Sequence, residues 1–179
     1  MNAHVPLSPS MESLLAAYAS GHLGHGMSVL MASFLTLSPV ARRQMETFET
    51  LNGIMLDDTE AAEMSEGALS SLMTRIDVPE TDETDHSGNG NAENVIRANN
   101  DLPAPLRAVL DRPIEDQRWR FAYPGVRQLS LCIGDDDERV KLLKIKSGKA
   151  APRHTHKGIE ATLVLRGAFR DGNRLYERG

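Results

Sequence analysis

The chain is predicted to be an α+β protein of two domains, a small N-terminal helical bundle and a C-terminal partial antiparallel β-barrel of jelly-roll type. Three observations predict this. From Ser10 to about Ile76, apolar residues recur at spacings of three and four, the helical period. From Asp77 to Asp101 the run DVPETDETDHSGNGNAENVIRANND is acidic, amide-rich and broken by glycine, with little to bury, which is the composition of a linker. Beyond Leu102 a short helix gives way to strand-like runs, and the stretch Gly148 to Gly167 reads G-x5-H-x-H-x3-E-x6-G. The expected division is therefore 1–76, a flexible linker over 77–101, and 102–179.

Four helices are expected in the first part. Ser10 can cap the first, which carries Met11, Leu14, Leu15 and Tyr18 and ends near Gly21. Gly24 and Gly26 make a break. The second helix carries Met27, Leu30, Met31, Phe34 and Leu35. Ser38-Pro39 supplies a cap and a proline for the first position of the third, which runs to about Met55 with Val40, Met45, Phe48 and Leu51 apolar. A fourth covers about Glu66 to Ile76, with Leu69, Leu72, Met73 and Ile76 on one side. A core from so few short helices is marginal, and the apolar stripes are broad enough for some to face a partner.

In the second part, strands are expected over about Trp119 to Tyr123, Val126 to Ile133, Arg139 to Ile145, Glu160 to Leu165 and Asn173 to Glu177. The acidic run Asp135 to Glu138, helped by Gly134, reads as a hairpin turn. On a strand, His154 and His156 project to the same side. Lys157-Gly158 can turn the chain, and Glu160 can face back toward the two imidazoles. Two neutral imidazoles and a carboxylate suit one divalent transition metal, zinc first, iron or manganese next. His22 and His25 form an H-x2-H with no cysteine or carboxylate at a matching distance and read as surface residues, as does His86 in the linker.

Charge and cysteine usage narrow the function. With 25 acidic and 20 basic side chains the net charge is −5, which disfavours binding to DNA or to an acidic membrane through bulk charge. No signal peptide and no membrane span is apparent, and the single cysteine, Cys132, has no internal disulfide partner. These features point to a cytoplasmic protein. Cys132 sits in a strand-like run and reads as a small buried hydrophobe. No phosphate loop, nucleophile elbow or dinucleotide fingerprint occurs.

The motif from Gly148 to Gly167 resembles the first motif of the cupin superfamily at every fixed position. The order of LLAAYASG, LMASFLTLSPVARR, LNGIMLDD, a linker, LPAPLRAVL and the cupin motif resembles the ChrR-type anti-sigma factors over nearly the whole chain. That resemblance implies a cytoplasmic transcription regulator of stress response. Its helical domain would sequester a sigma factor of the extracytoplasmic-function group, and its metal-binding cupin domain would govern release. It also implies a partner surface on the first and fourth helices, with Leu14, Leu15, Tyr18, Leu69, Leu72, Met73 and Ile76 as candidates.

Two departures are visible. The family's helical domain holds zinc through a His near the N-terminus and an H-x3-C-x2-C element. The alignment puts Phe34, Ser38 and Ala41 at the latter positions, and the N-terminal His position falls near Ser8 or Pro9, with His4 close by. No N-terminal zinc is therefore expected. The strands also amount to half to two-thirds of a barrel with an exposed edge. Truncation, an incomplete domain, or a partner subunit covering the edge as in a homodimer each accounts for this. The alternative function is a metal-dependent cupin enzyme, a dioxygenase or isomerase. Against it stand the missing half-barrel and the lack of an enclosed pocket to exclude water. The expectation is therefore a regulator and not an enzyme.

Overall fold

The computed structural model describes residues 9–77, 100–133, 138–150 and 158–179. Most of the expected linker, Asp135 to Asp137 of the expected acidic turn, His4, His86, His154 and His156 lie outside the described residues.

Helix α1 is Pro9–Ala19. It begins two residues earlier than a Ser10 cap implies, so that Ser10 lies inside the helix. It closes in a Schellman motif: Gly21 has φ +70, its N–H donates to Tyr18 O, and the His22 N–H donates to Ala17 O. Helix α2 is His25–Leu37 and α3 is Pro39–Asp57. Ser38 ends one and starts the other. Its N–H donates to Phe34 O at 2.8 Å, and its Oγ accepts from the Ala41 N–H at 3.3 Å with Pro39 at the first helical position. Helix α4 is Ala68–Asp77, beginning directly after Gly67 with φ +81. Asp77 is thus the last residue of a helix and not the first of the linker.

The first three helices enclose a core of Leu15, Met31, Phe34, Ala41 and Met45, with Met11, Leu14, Tyr18, Met27, Leu30 and Phe48 packed around it. A second core lies under the C-terminal half. Helix α5, Ala104–Ala108, and a 3-10 turn at Ile114–Asp116 supply Leu102, Leu106, Leu110 and Ile114, joined by Trp119, Leu131, Leu142 and Leu165. Helix α5 also packs on α2.

Strands β1 (Arg120–Tyr123), β2 (Val126–Ser130) and β3 (Lys141–Ile145) form an antiparallel meander in that order. Pro124-Gly125, with Gly125 at φ +84, turns β1 into β2. Strands β4 (Ala168–Asp171) and β5 (Arg174–Glu177) form a separate hairpin. Gly172, at φ +54, takes the first central position of its two-residue turn.

Three strand-level expectations are corrected. The segment Glu160 to Leu165 joins no ladder among the described residues. Its backbone is met instead by single bonds from the chain's end: Gly179 N–H to Val164 O, and Arg178 Nε to Leu165 O. Its alternate side chains Leu163 and Leu165 reach the first and second cores respectively. The strand that pairs with β5 is β4, which begins just beyond Gly167. Cys132 is exposed, because β2 ends at Ser130 and the alternation beyond it keeps Leu131 and Ile133 half-buried while Cys132 faces out.

Asp101, expected as the end of the linker, instead belongs to the folded C-terminal half. Arg166 grips both its carboxylate oxygens and also reaches Glu115, while Arg178 donates to its carbonyl at 2.9 Å. The Arg166 hydrogen bonds hold the Asp101 carboxyl below the usual carboxylate range, outweighing the opposing effect of burial. A depressed folded value means the pair stabilises the fold above the ordinary Asp range and stops doing so as pH falls through the lowered value. Both side chains are half exposed, so the contribution is small, about 1 kcal/mol or less, and sensitive to salt. The expected result is a slightly lower melting temperature for Arg166→Gln at neutral pH, with the difference vanishing once the pH has fallen well below the ordinary Asp range. A difference that persists unchanged in acid or in high salt would assign the effect to packing.

Candidate functional site: an open apolar helix face and a metal motif

Helix α4 forms for local reasons. The Ser71 N–H donates to Gly67 O at 2.9 Å, and the Thr74 hydroxyl donates to Ser70 O at 2.8 Å. Leu69, Leu72, Met73 and Ile76 recur at the spacing that puts them on one face. That face is uncovered: the four side chains are 67%, 49%, 51% and 65% exposed. No residue of α4 is buried, and α4 packs substantially on no other described element.

The end of α3 also carries exposed apolar side chains. Leu51, Ile54, Met55 and Leu56 are all more than half exposed. Periodicity placed Leu51 on the apolar stripe with Phe48 and did not include the rest. A signal existed: three consecutive apolar residues at 54–56 point around the helix, and one core cannot take them all. Large apolar side chains left exposed in numbers on a small helical domain point to a protein interaction site.

The α1 candidates behave differently. Leu15 is fully buried, and Leu14 and Tyr18 pack against the same core. Of the two helices proposed as partner surface, α1 spends its apolar side chains inside the bundle and α4 leaves its own outside.

The structure brings Phe34, Ser38 and Ala41 together at the α2–α3 junction. Phe34 is 7% exposed and Ala41 is 0% exposed, both in the apolar core, and the Ser38 hydroxyl is engaged as the cap of α3. Hydrocarbon side chains in a packed core do not fit a zinc site.

Of the three candidate metal ligands only Glu160 is described. It is exposed and lies on the segment just after Gly158, whose φ is +124. His154 and His156 lie outside the described residues, so their approach to Glu160 carries no geometry. His22 and His25 are both exposed, His22 sharing a hydrogen bond with Ser20 Oγ at 2.9 Å.

A helical bundle with one helix's apolar face left open, carried on a β domain, is the build of a regulator that binds another protein. No protein-family model matches the chain. It is 36% identical over 160 residues to the anti-sigma-E factor ChrR of Cereibacter sphaeroides, covering 89% of this chain and 70% of that one. It also matches the crystal structure of Rhodobacter sphaeroides SigE in complex with the anti-sigma ChrR, at TM-score 0.73 and 35% identity over 93% of this chain and 80% of that one. The chain belongs to the ChrR family of anti-sigma factors.

Proposed function

We propose that this protein is an anti-sigma factor that sequesters a sigma factor of the extracytoplasmic-function group through its helical half, with α4 and the end of α3 as the contact surface. The observation that carries this is the open face of α4 in a chain more than one-third identical to an anti-sigma factor. The relative's solved complex pairs an anti-sigma with its sigma factor. A helix that lays its apolar face into a partner's groove needs the features α4 has, anchors at one, four, five and eight in a helix that packs substantially on no other described element. Sigma factors act in the cytoplasm, and no described helix is long and apolar enough to cross a membrane. Co-purification of the full chain with its sigma factor tests the reading. Failure to form a complex with any sigma factor of that group from the same genome would overturn it.

The family is one of regulators, which favours a non-enzyme over a cupin dioxygenase or isomerase. His154, His156 and Glu160 are proposed to hold one divalent transition metal, zinc first, as a sensor or scaffold. The support is the donor chemistry and the spacing. Elemental analysis of unchelated protein should find at most one equivalent per chain, lost in His154→Ala with His156→Ala. Two equivalents of zinc, one of them surviving that double substitution, would contradict both this site and the apolar reading of the α2–α3 junction.

A further inference from the structure

Helix α2 begins without a cap of its own. Its N-cap residue is Gly24, which has no side chain to accept a hydrogen bond, and the first N–H groups of a helix have no acceptor within it. One of these groups is met from 112 residues away. The buried Gly26 N–H donates to Glu138 Oε2 at 2.7 Å. Glu138 stands on the approach to β3, in the C-terminal half, and a carboxylate at a helix N-terminus also lies at the favourable end of the helix dipole.

The glycines around it have a spatial reason. A Cβ at Gly24 would lie 2.4 Å from Glu138 Oε1, and one at Gly26 would lie 2.4 Å from Val140 Cγ2 and 3.0 Å from Glu138 Oε2. Gly24 has φ −63, which any residue adopts, so what glycine supplies there is room rather than conformation. A glycine in the first turn of a helix weakens that helix unless something needs the space. Here the space is taken by the strand approach. Helix α5, which packs on α2, and Leu163, which touches the helical core, bring the C-terminal half against the same helix.

We propose that Glu138 is a remote N-cap that couples the first turn of α2 to the docking of the C-terminal half. With that half in place the turn is closed. When Glu138 withdraws, the turn frays, while the core around Phe34 and Met45 stays formed. The coupling is a property of the free chain and does not depend on which partner the helical half binds.

Amide hydrogen exchange on the full chain without partner tests it. Glu138→Ala should speed exchange at Gly26, Met27 and Ser28 by about tenfold and leave Phe34 through Met45 unchanged, since a hydrogen bond to a charged group is being removed. Glu138→Gln keeps an acceptor and should give a smaller rise. Gly26→Ala provides a test of sign. Helix propensity alone would slow exchange there about fivefold. The coupling predicts acceleration, because the added Cβ displaces Val140 and Glu138. Unchanged exchange in Glu138→Ala, slowing in Gly26→Ala, or an equal rise across Phe34 to Met45 would each overturn the proposal. If Glu138→Ala does not fold, Glu138→Gln and Gly26→Ala still decide.

Discussion

Replacing Leu72 and Met73 together by lysine should abolish sigma binding while leaving the helical signal of the protein intact. Both side chains are about half exposed, on a helix with no buried residue. Surface substitutions away from special features usually change stability by no more than about 0.5 kcal/mol, and lysine is a good helix former. The fold should therefore absorb the change. Binding should not. Central apolar anchors of a helix in a groove each contribute about 2 kcal/mol or more, and two desolvated charges against an apolar groove add a further penalty. The expected loss is at least about 100-fold in affinity. Ser71 provides the control. At about 100° per residue it lies on the far side of α4 from Leu72 and Met73, so Ser71→Lys should bind normally. Circular dichroism and a pull-down on the same samples separate the outcomes. If helical signal and binding are lost together, the face is core after all. If the double variant binds within about twofold of wild type, α4 is not the interface.

What the sequence disclosed of this fold follows how local the cause was. The α2–α3 junction was legible because Ser38-Pro39 needs only its own neighbours: a hydroxyl for one N–H and a ring with the right φ. The four helices were legible from periodicity, and so was the chemical set on α4. Whether that set is buried was not, since the same spacing serves a core or a partner. Leu15 and Leu72 carry the same side chain on similar stripes, yet one is fully buried and the other half exposed. Contacts across the chain were not legible. The GHLGHG turn read as a break, because nothing nearby shows that a carboxylate 112 residues later caps α2. The segment Glu160 to Leu165 has the alternation of a strand, but its backbone partners come from residues at the chain's end and form no ladder. Cys132 was read as buried from the apolar residues on either side, and those same neighbours, turned inward, are what turn it out.

Phe34→Ala should cost the helical half most of its stability, about 3 kcal/mol or more. Phe34 is buried against Leu15, Met31, Ala41 and Met45, the complete set of buried side chains in that cluster. Truncating it removes the largest member and leaves a cavity that a helical hairpin closed tightly at Ser38 cannot collapse. Domains with so small a core have little margin, so a loss of this size should melt the bundle near room temperature. By the same argument the helical half is expected to need no zinc. Thermal unfolding followed by helical dichroism, in a His154→Ala, His156→Ala background that removes the cupin ligands, should be unchanged by chelator. The converse follows from the alignment. Phe34→His with Ser38→Cys and Ala41→Cys restores an H-x3-C-x2-C element, and that variant should fold only with zinc, since it has given up the apolar contact and gained three donors. If chelator melts the helices of the parent protein, or if Phe34→Ala unfolds within about 1 kcal/mol of it, then apolar packing at this junction is not what replaced the metal.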